Sequence, residues 1–261
     1  MKALGIALVL SLSLLGAEYA RAADMPLPGG APLPPSSYYP VSQPVNWGGV
    51  YIGLNGGYGV GQSTWSNSIN SINFATNGGI FGATLGINYA GFGDWVLLGI
   101  EGDFDWSGAT GSRGCAALDA GLPGEAIQLG PNSACQTKID WLSTFRLRAG
   151  YTWQHFLFFA TAGGAVGDFR LSATNPTATH NPTPPLGWAA GAGAEYLFND
   201  AISVKLEYLY VNLGTVGCPT VSNLSTNPGT LCSADQAATP GKVSFTENLI
   251  RAGINYKFSW R

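Results

Sequence analysis

The chain has 261 residues, a formal net charge of −3 and only 10% charged residues, against about 25% in soluble domains. A charge-poor, weakly acidic chain without a basic run is not a nucleic-acid binder. Glycine reaches 37 residues and aromatics 12%, yet after Leu15 nothing approaches the ~20 apolar residues of a spanning helix, so a membrane protein of this composition must cross as a closed sheet.

The elements follow in chain order. Met1-Lys2 supplies a positive start, Ala3 to Leu15 is apolar apart from Gly and Ser, and Ala20-Arg21-Ala22 has the small residues of a signal-peptidase site. Residues 1–22 are therefore read as a cleaved secretory signal, with Ala23 as the alternative cleavage point. The mature chain keeps 10 Lys and Arg against 14 Asp and Glu, a net charge of −4. Residues 23–46 contain seven prolines (Pro26, Pro28, Pro32, Pro34, Pro35, Pro40 and Pro44) and read as an extended periplasmic tether.

From Trp47 the period is two, the signature of strands. The first, Gly49 to Gly61, sets Val50, Ile52, Leu54, Tyr58 and Val60 against Tyr51, Asn55 and glycines. The second, Ile80 to Tyr89, sets Phe81, Leu85, Ile87 and Tyr89 against Thr84 and Asn88. The third, Trp95 to Trp106, sets Val96, Leu98, Ile100, Phe104 and Trp106 against Glu101, Asp103 and Asp105. In the fourth, Ile139 to Tyr151, Trp141, Phe145, Leu147, Ala149 and Tyr151 oppose Thr144, Arg146 and Arg148. The fifth, Phe156 to Val166, places Phe158, Ala160, Ala162 and Val166 on the apolar face. The sixth, Gly187 to Phe198, opposes Trp188, Ala190, Ala192, Ala194 and Tyr196 to Glu195. The seventh, Ile202 to Leu213, opposes Val204, Leu206, Tyr208 and Tyr210 to Lys205 and Glu207. The eighth, Val243 to Phe258, opposes Ile250, Ala252, Ile254, Tyr256 and Phe258 to Arg251 and Asn255.

Eight such strands predict an all-β fold, an eight-stranded antiparallel transmembrane up-and-down β-barrel over residues 47–258, with 259–261 as a short tail. Long connections at 62–79, 107–138, 167–186 and 214–242 alternate with short ones, the pattern of long outer loops and tight periplasmic turns. An even strand count puts both termini in the periplasm of a Gram-negative outer membrane. Aromatics gather at the strand ends: Trp47, Tyr89, Trp95, Tyr151, Trp153, Tyr196, Phe198 and Phe258 at one, Tyr58, Phe81, Trp106, Trp141, Trp188, Tyr208 and Tyr210 toward the other. Two girdles at headgroup level are expected from that placement, whereas a soluble sandwich would bury its aromatics mid-strand.

Several motifs carry a family resemblance. They are Trp47-Gly48-Gly49-Val50-Tyr51-Ile52-Gly53-Leu54-Asn55, Gly99-Ile100-Glu101-Gly102-Asp103, Arg146-Leu147-Arg148-Ala149-Gly150-Tyr151, and Gly187-Trp188 with Gly193-Ala194-Glu195-Tyr196. Lys205-Leu206-Glu207-Tyr208-Leu209-Tyr210 and Arg251-Ala252-Gly253-Ile254-Asn255-Tyr256-Lys257-Phe258 complete the set. From Trp47 to Phe258 the chain resembles the eight-stranded outer-membrane barrels of alpha-proteobacteria, the RopB-like, porin-family proteins with an OmpA-type barrel. The resemblance implies an outer-membrane location and envelope-structural or surface roles, and no single chemistry. Members commonly end on Phe, whereas Ser259-Trp260-Arg261 follow Phe258 here; Phe258 and Trp260 share a face and together stand for the terminal signal read by the barrel-insertion machinery.

The sharpest constellation is the inward charge: Glu101, Asp103 and Asp105 against Arg146 and Arg148, then Glu195, Lys205, Glu207 and Arg251. Side chains just fill an eight-stranded barrel, and charges deprived of water there must pair, so these residues are expected to form a salt-bridge plug; the alternative is a narrow or gated channel. Four cysteines allow three pairings, and shared loops favour Cys115–Cys135 and Cys218–Cys232 in an oxidising compartment. Neither pair has metal-site spacing, and no metal or cofactor is expected. His155 falls in a periplasmic turn and His180 in the third outer loop; only His180 is on the side where a lipid-modifying enzyme would act, and nothing in its Pro/Thr/Asn-rich loop orients it as a base, so the chain is read as a non-enzyme. Expected partners are outer-membrane lipid and lipopolysaccharide, the insertion machinery, and a host surface or phage at the outer loops. The function expected is envelope integrity and surface display, with a small porin or a loop-mediated adhesin as alternatives.

Overall fold

The computed structural model describes residues 45–66, 70–91, 95–115, 132–174, 178–180, 182–217, 220–221, 229–230 and 241–258. The signal segment and most of the proline tether lie outside these residues, as do Cys218, Cys232 and Trp260. Described strands, in order, are β1 (Gly49–Ser66), β2 (Ser71–Tyr89), β3 (Val96–Ser107), β4 (Thr110–Gly114), β5 (Ala134–Trp153), β6 (Phe156–Thr174), β7 (Ala178–His180), β8 (Leu186–Leu197), β9 (Ile202–Gly217), β10 (Thr220–Val221), β11 (Gly229–Thr230) and β12 (Lys242–Phe258). Eight of them pair antiparallel in the cyclic order β1, β2, β3, β5, β6, β8, β9, β12, and β12 returns to β1 from Val50–Phe258 to Ser66–Lys242. The ring is closed, and both of its ends lie at the rim where the turns are tightest, the two-residue Gln154-His155 turn between paired Trp153 and Phe156 being the shortest described.

Strict alternation of exposure follows the anticipated faces. Leu54 is 68% exposed, Leu147 66%, Leu206 59% and Ile254 61%, while every inward charge expected from the sequence is at most 4% exposed. Such an inversion of the usual soluble pattern is stable only where hydrocarbon wets the outside. Rings stack along both edges of this greasy band. At the long-loop edge Phe81 meets Trp106 at 5.2 Å, Phe104 meets Trp141 at 5.7 Å and Trp188 meets Tyr210 at 5.3 Å. At the tight-turn edge Phe156 meets Tyr196 at 4.9 Å and Tyr256 meets Phe258 at 5.0 Å. Trp47 departs from its expected girdle place. It is 3% exposed and caps the tight-turn end of the lumen with Leu97, Leu157, Phe159 and Leu197, its Nε1 donating to the Gln154 carbonyl at 3.3 Å.

The segments expected as long outer loops are in good part strand. β1 runs 18 residues, β2 19 and β5 20, where a tilted strand needs about 9–11 to cross the hydrocarbon. Residues 62–66 and 71–79, 134–138, 167–174 and 214–217 all continue the sheet. The reason lies in a reversal of polarity. Outside the girdle Gln62, Ser71, Asn73, Lys138, Arg170 and Lys242 face out, and Trp65, Phe74, Ile139, Phe169, Leu171, Val243 and Phe245 face in. The outward residues alone read as loop, but the inward ones build a dry core. With ~3.3 Å of rise per residue and a tilt near 40°, the eight residues beyond Tyr58, as far as Ser66, lift the sheet roughly 20 Å beyond the girdle.

Two bulges sit at this boundary. In β5 the register jumps between Ile139 and Leu142, so Ile139 and Leu142 both point inward while Asp140 and Trp141 crowd the rim. In β9 the step falls at Leu213 and Gly214, with Gly214 at φ 76° and its N–H donating to Asn212 Oδ1 at 2.8 Å. Each bulge shifts the strand's parity by one and keeps apolar side chains inside on both sides of the step.

The projecting core predicts a stability effect remote from any charge. Phe169, 1% exposed and edge-on to Phe245 at 5.7 Å, should cost about 3–5 kcal/mol on replacement by Ala. Urea unfolding of the refolded barrel measures this, and a loss under ~1 kcal/mol would contradict a packed core at that height.

Candidate functional site: the filled interior

Strand alternation delivers charges to the lumen from five strands, Glu101, Asp103 and Asp105 on β3, Arg146 and Arg148 on β5, Glu195 on β8, Lys205 and Glu207 on β9, and Arg251 on β12. The belt they form does not stop at neighbouring strands. Arg146 holds Glu101 at 2.7 Å and Asp103 at 2.5 Å, and crosses the lumen to Glu207. Arg251 reaches Asp105 at 2.7 Å, Asp103 at 3.0 Å and Glu207 at 2.8 Å. Lys205 crosses in turn to Glu101 at 2.9 Å, and Arg148 pairs with Glu195. Three cations therefore bridge the lumen at this level.

Hydroxyls and amides take up much of the remaining hydrogen-bonding capacity, with Asp105 Oδ1 and Arg148 Nε left without a hydrogen-bond partner. Thr84 and Thr144 donate to Asp103 at 2.7 and 2.9 Å, and Asn255 donates to Glu195 at 2.8 Å. Arg146 also donates to Thr161 Oγ1 at 2.8 Å. Tyr51, 2% exposed, donates to Glu101 at 2.6 Å and accepts from Arg148 at 3.0 Å, while the Arg148 guanidinium stacks 4.0 Å over Phe159. Planar arginine forks suit such multiple carboxylate contacts better than lysine. The network works as a unit, since a buried charge stays tolerable only while all its partners remain.

Glycines make the space. An added Cβ at Gly57 would lie 2.7 Å from the Arg251 Cα, and one at Gly82 would lie 2.3 Å from Asp105 Oδ1. Above the belt stands the apolar core of Trp65, Phe74, Ile139, Phe169, Val211 and Phe245, and below it the Trp47 cap, so the lumen is filled at three levels. Cys115 and Cys135, both fully buried, are disulfide-bonded with Cα atoms 5.6 Å apart and join the top of that core. The second expected pair, Cys218 and Cys232, lies outside the described residues, as does Trp260. Phe258 pairs with Val50 and faces outward at 49% exposure.

Some interior residues escaped the sequence reading. Glu247 and Lys257 are at most 6% exposed. The parity that selects Arg251 on β12 also selects Glu247 and Lys257, so the signal was present. Among the described residues no group of three or more His, Cys, Asp or Glu is arranged to hold a metal ion.

Two measurements probe this interior. Arg251→Ala leaves Asp105 without a cation, while Glu207 keeps Arg146, and should destabilise by about 3–5 kcal/mol, whereas the exposed Arg170→Ala should cost under ~1 kcal/mol; equal, small losses in urea unfolding would dissolve the belt as a stabilising unit. Cys135→Ser should cost about 3 kcal/mol by reopening a loop of 20-residue separation. Peptide mapping without reductant should find Cys115 joined to Cys135, and free thiols at both would refute the bond.

Comparison with known proteins agrees with this architecture. A family model described as outer membrane protein beta-barrel domain matches residues 36–258. The 31 kDa outer-membrane immunogenic protein of Brucella melitensis is 32% identical over 238 residues, covering 84% of this chain and 88% of the relative. The 22 kDa outer membrane protein of Rhizobium leguminosarum bv. viciae is 27% identical over 221 residues, covering 84% and 82%. Among solved structures, the outer membrane protein OprG from Pseudomonas aeruginosa is similar over 82% of this chain and 97% of its own, at a TM-score of 0.42 and 13% identity. The family match takes in every strand of the ring, and this chain is a member of the outer membrane protein β-barrel family, resident in the bacterial outer membrane.

Proposed function

We propose that the protein is a closed outer-membrane barrel that stiffens the envelope and carries its long loops outward on a rigid stalk. One observation carries the reading: Arg146, Arg251 and Lys205 bridge the lumen at the belt, and a separate apolar core fills it again above the girdle. A porin keeps a wetted path, and a path here would have to displace buried arginines and then a dry cluster of Trp65, Phe169 and Phe245. The sheet's projection of roughly 20 Å and the Cys115–Cys135 bond suit a scaffold for display. The designation of the Brucella relative as immunogenic is in keeping with surface loops.

The reading is structural rather than catalytic. His155 sits at the tight-turn end with Nδ1 3.0 Å from the Leu197 carbonyl, and His180 lies on β7 opposite Leu171 near the other end. No shared centre can use both.

Planar-bilayer recording on the refolded full chain tests the closed lumen. Silence, or only brief flickers, is the expected result. Stable openings on the nanosiemens scale would overturn it in favour of a pore, and loop deletions that abolish cell binding in a folded barrel would add an adhesin role.

A further inference from the structure

The described cations are unevenly placed. Four are locked in the belt and Lys257 is buried at the tight-turn end, while the remaining four, Arg113, Lys138, Arg170 and Lys242, are exposed and all stand at the long-loop end. Two of these are direct cross-strand partners. Lys138 on β5 faces Arg170 on β6, with side chains 47% and 55% exposed on the outer wall. Asp140 sits between them, 2.9 Å from the Lys138 ammonium and in ion-pair contact with the Nε edge of Arg170, so the trio keeps one net positive charge. The contact falls on Nε, at the inner edge of the Arg170 fork.

Their height is informative. On β5 the outward residues run from Phe145 and Leu147 in the greasy band to Trp141 at the girdle, then Lys138, then Gln136. Gln136 is hydrogen-bonded to Ser172 at 3.2 Å, the next outward residue along β6 from Arg170. Apolar surface, aromatic ring, cation pair and amide–hydroxyl pair thus succeed one another going outward. A glycolipid of the outer leaflet presents the same order: acyl chains, a phosphorylated sugar, and further sugar hydroxyls. Guanidinium and ammonium groups just beyond the girdle lie at the depth of lipid headgroups and match phosphate in charge and, for Arg170, in fork geometry.

We propose that the outer wall of β5 and β6 is a docking surface for the lipid A portion of lipopolysaccharide, with Lys138 and Arg170 receiving one phosphate and Gln136 and Ser172 the adjoining sugar. The proposal rests on the outward orientation of the long-loop end and not on the closed lumen. Conductance would therefore overturn the closed barrel and leave this surface standing.

The test uses the full chain refolded into phosphatidylcholine vesicles containing diphosphoryl lipid A, followed by detergent extraction and native mass spectrometry of retained lipid. The wild type should retain lipid A, and the double variant Lys138→Gln with Arg170→Gln should retain about tenfold less, as loss of charge-assisted phosphate contacts implies. Lys242→Gln, at the same end but far from the pair, should retain it fully. Asp140→Asn releases both cations and should hold retention at or above the wild-type level, which a merely structural trio would not do. Heat-modifiable gel mobility confirms that each variant is folded. Unchanged retention in the double variant, a fall in Asp140→Asn, equal retention of dephosphorylated lipid A, or equal retention of phosphatidylglycerol each overturns the assignment.

Discussion

A backbone amide inside a bilayer has no water to fall back on, so a sheet that enters hydrocarbon must satisfy every edge with another strand. Here that demand is met by β12 returning to β1 over an unbroken register from Val50–Phe258 to Ser66–Lys242. Closure then dictates the rest. A ring of eight strands encloses a space that side chains alone can fill, and its outer wall must be apolar wherever lipid touches it. The polar half of the alternation is forced inward, and the ion-pair belt is what that half becomes when its charges find one another.

The belt and the apolar core answer the same rule under different solvents. At membrane depth the outside is oily and the inside holds Arg146, Arg251 and their carboxylates; beyond the girdle the outside is wet and the inside holds Trp65, Phe169 and Phe245. Were both faces apolar at membrane depth, nothing would distinguish inside from outside, and a one-residue slip of any strand would go unpunished. Charges that meet only in one register remove that freedom. Their net contribution to stability can be small while the penalty for mispairing is large.

Much of this was legible in the sequence. Eight alternating segments, the tight-turn and long-loop ends, and all nine inward charges follow from parity alone, because a strand has only two faces. What parity does not reveal is reach: Glu195 lies beside Lys205 in the ladder yet pairs with Arg148, and Lys205 turns instead to Glu101. The projecting strands were read as loops because Ser, Thr, Asn and Gly on their wet face resemble loop composition. The phase was still present in Trp65, Ile72, Phe74, Phe169 and Leu171, but with hydrophobicity exchanged between the faces. Ile139 was obscured for another reason, since the β5 bulge resets the count just beyond it.

The seam strand has one further property. β1 turns Gly53, Gly57, Gly59 and Gly61 toward the lumen, and an added Cβ at Gly53 or Gly59 would come within 2.1 Å of Asn255 Oδ1 or Glu247 Oε1. Its inner surface is bare from Gly57 to Gly61, between Tyr51 and Asn55 below and Ser63 and Trp65 above. The breadth of the crossing side chains is thus set by what the seam strand omits, and a single methyl there would have to be accommodated by the side chains that face it.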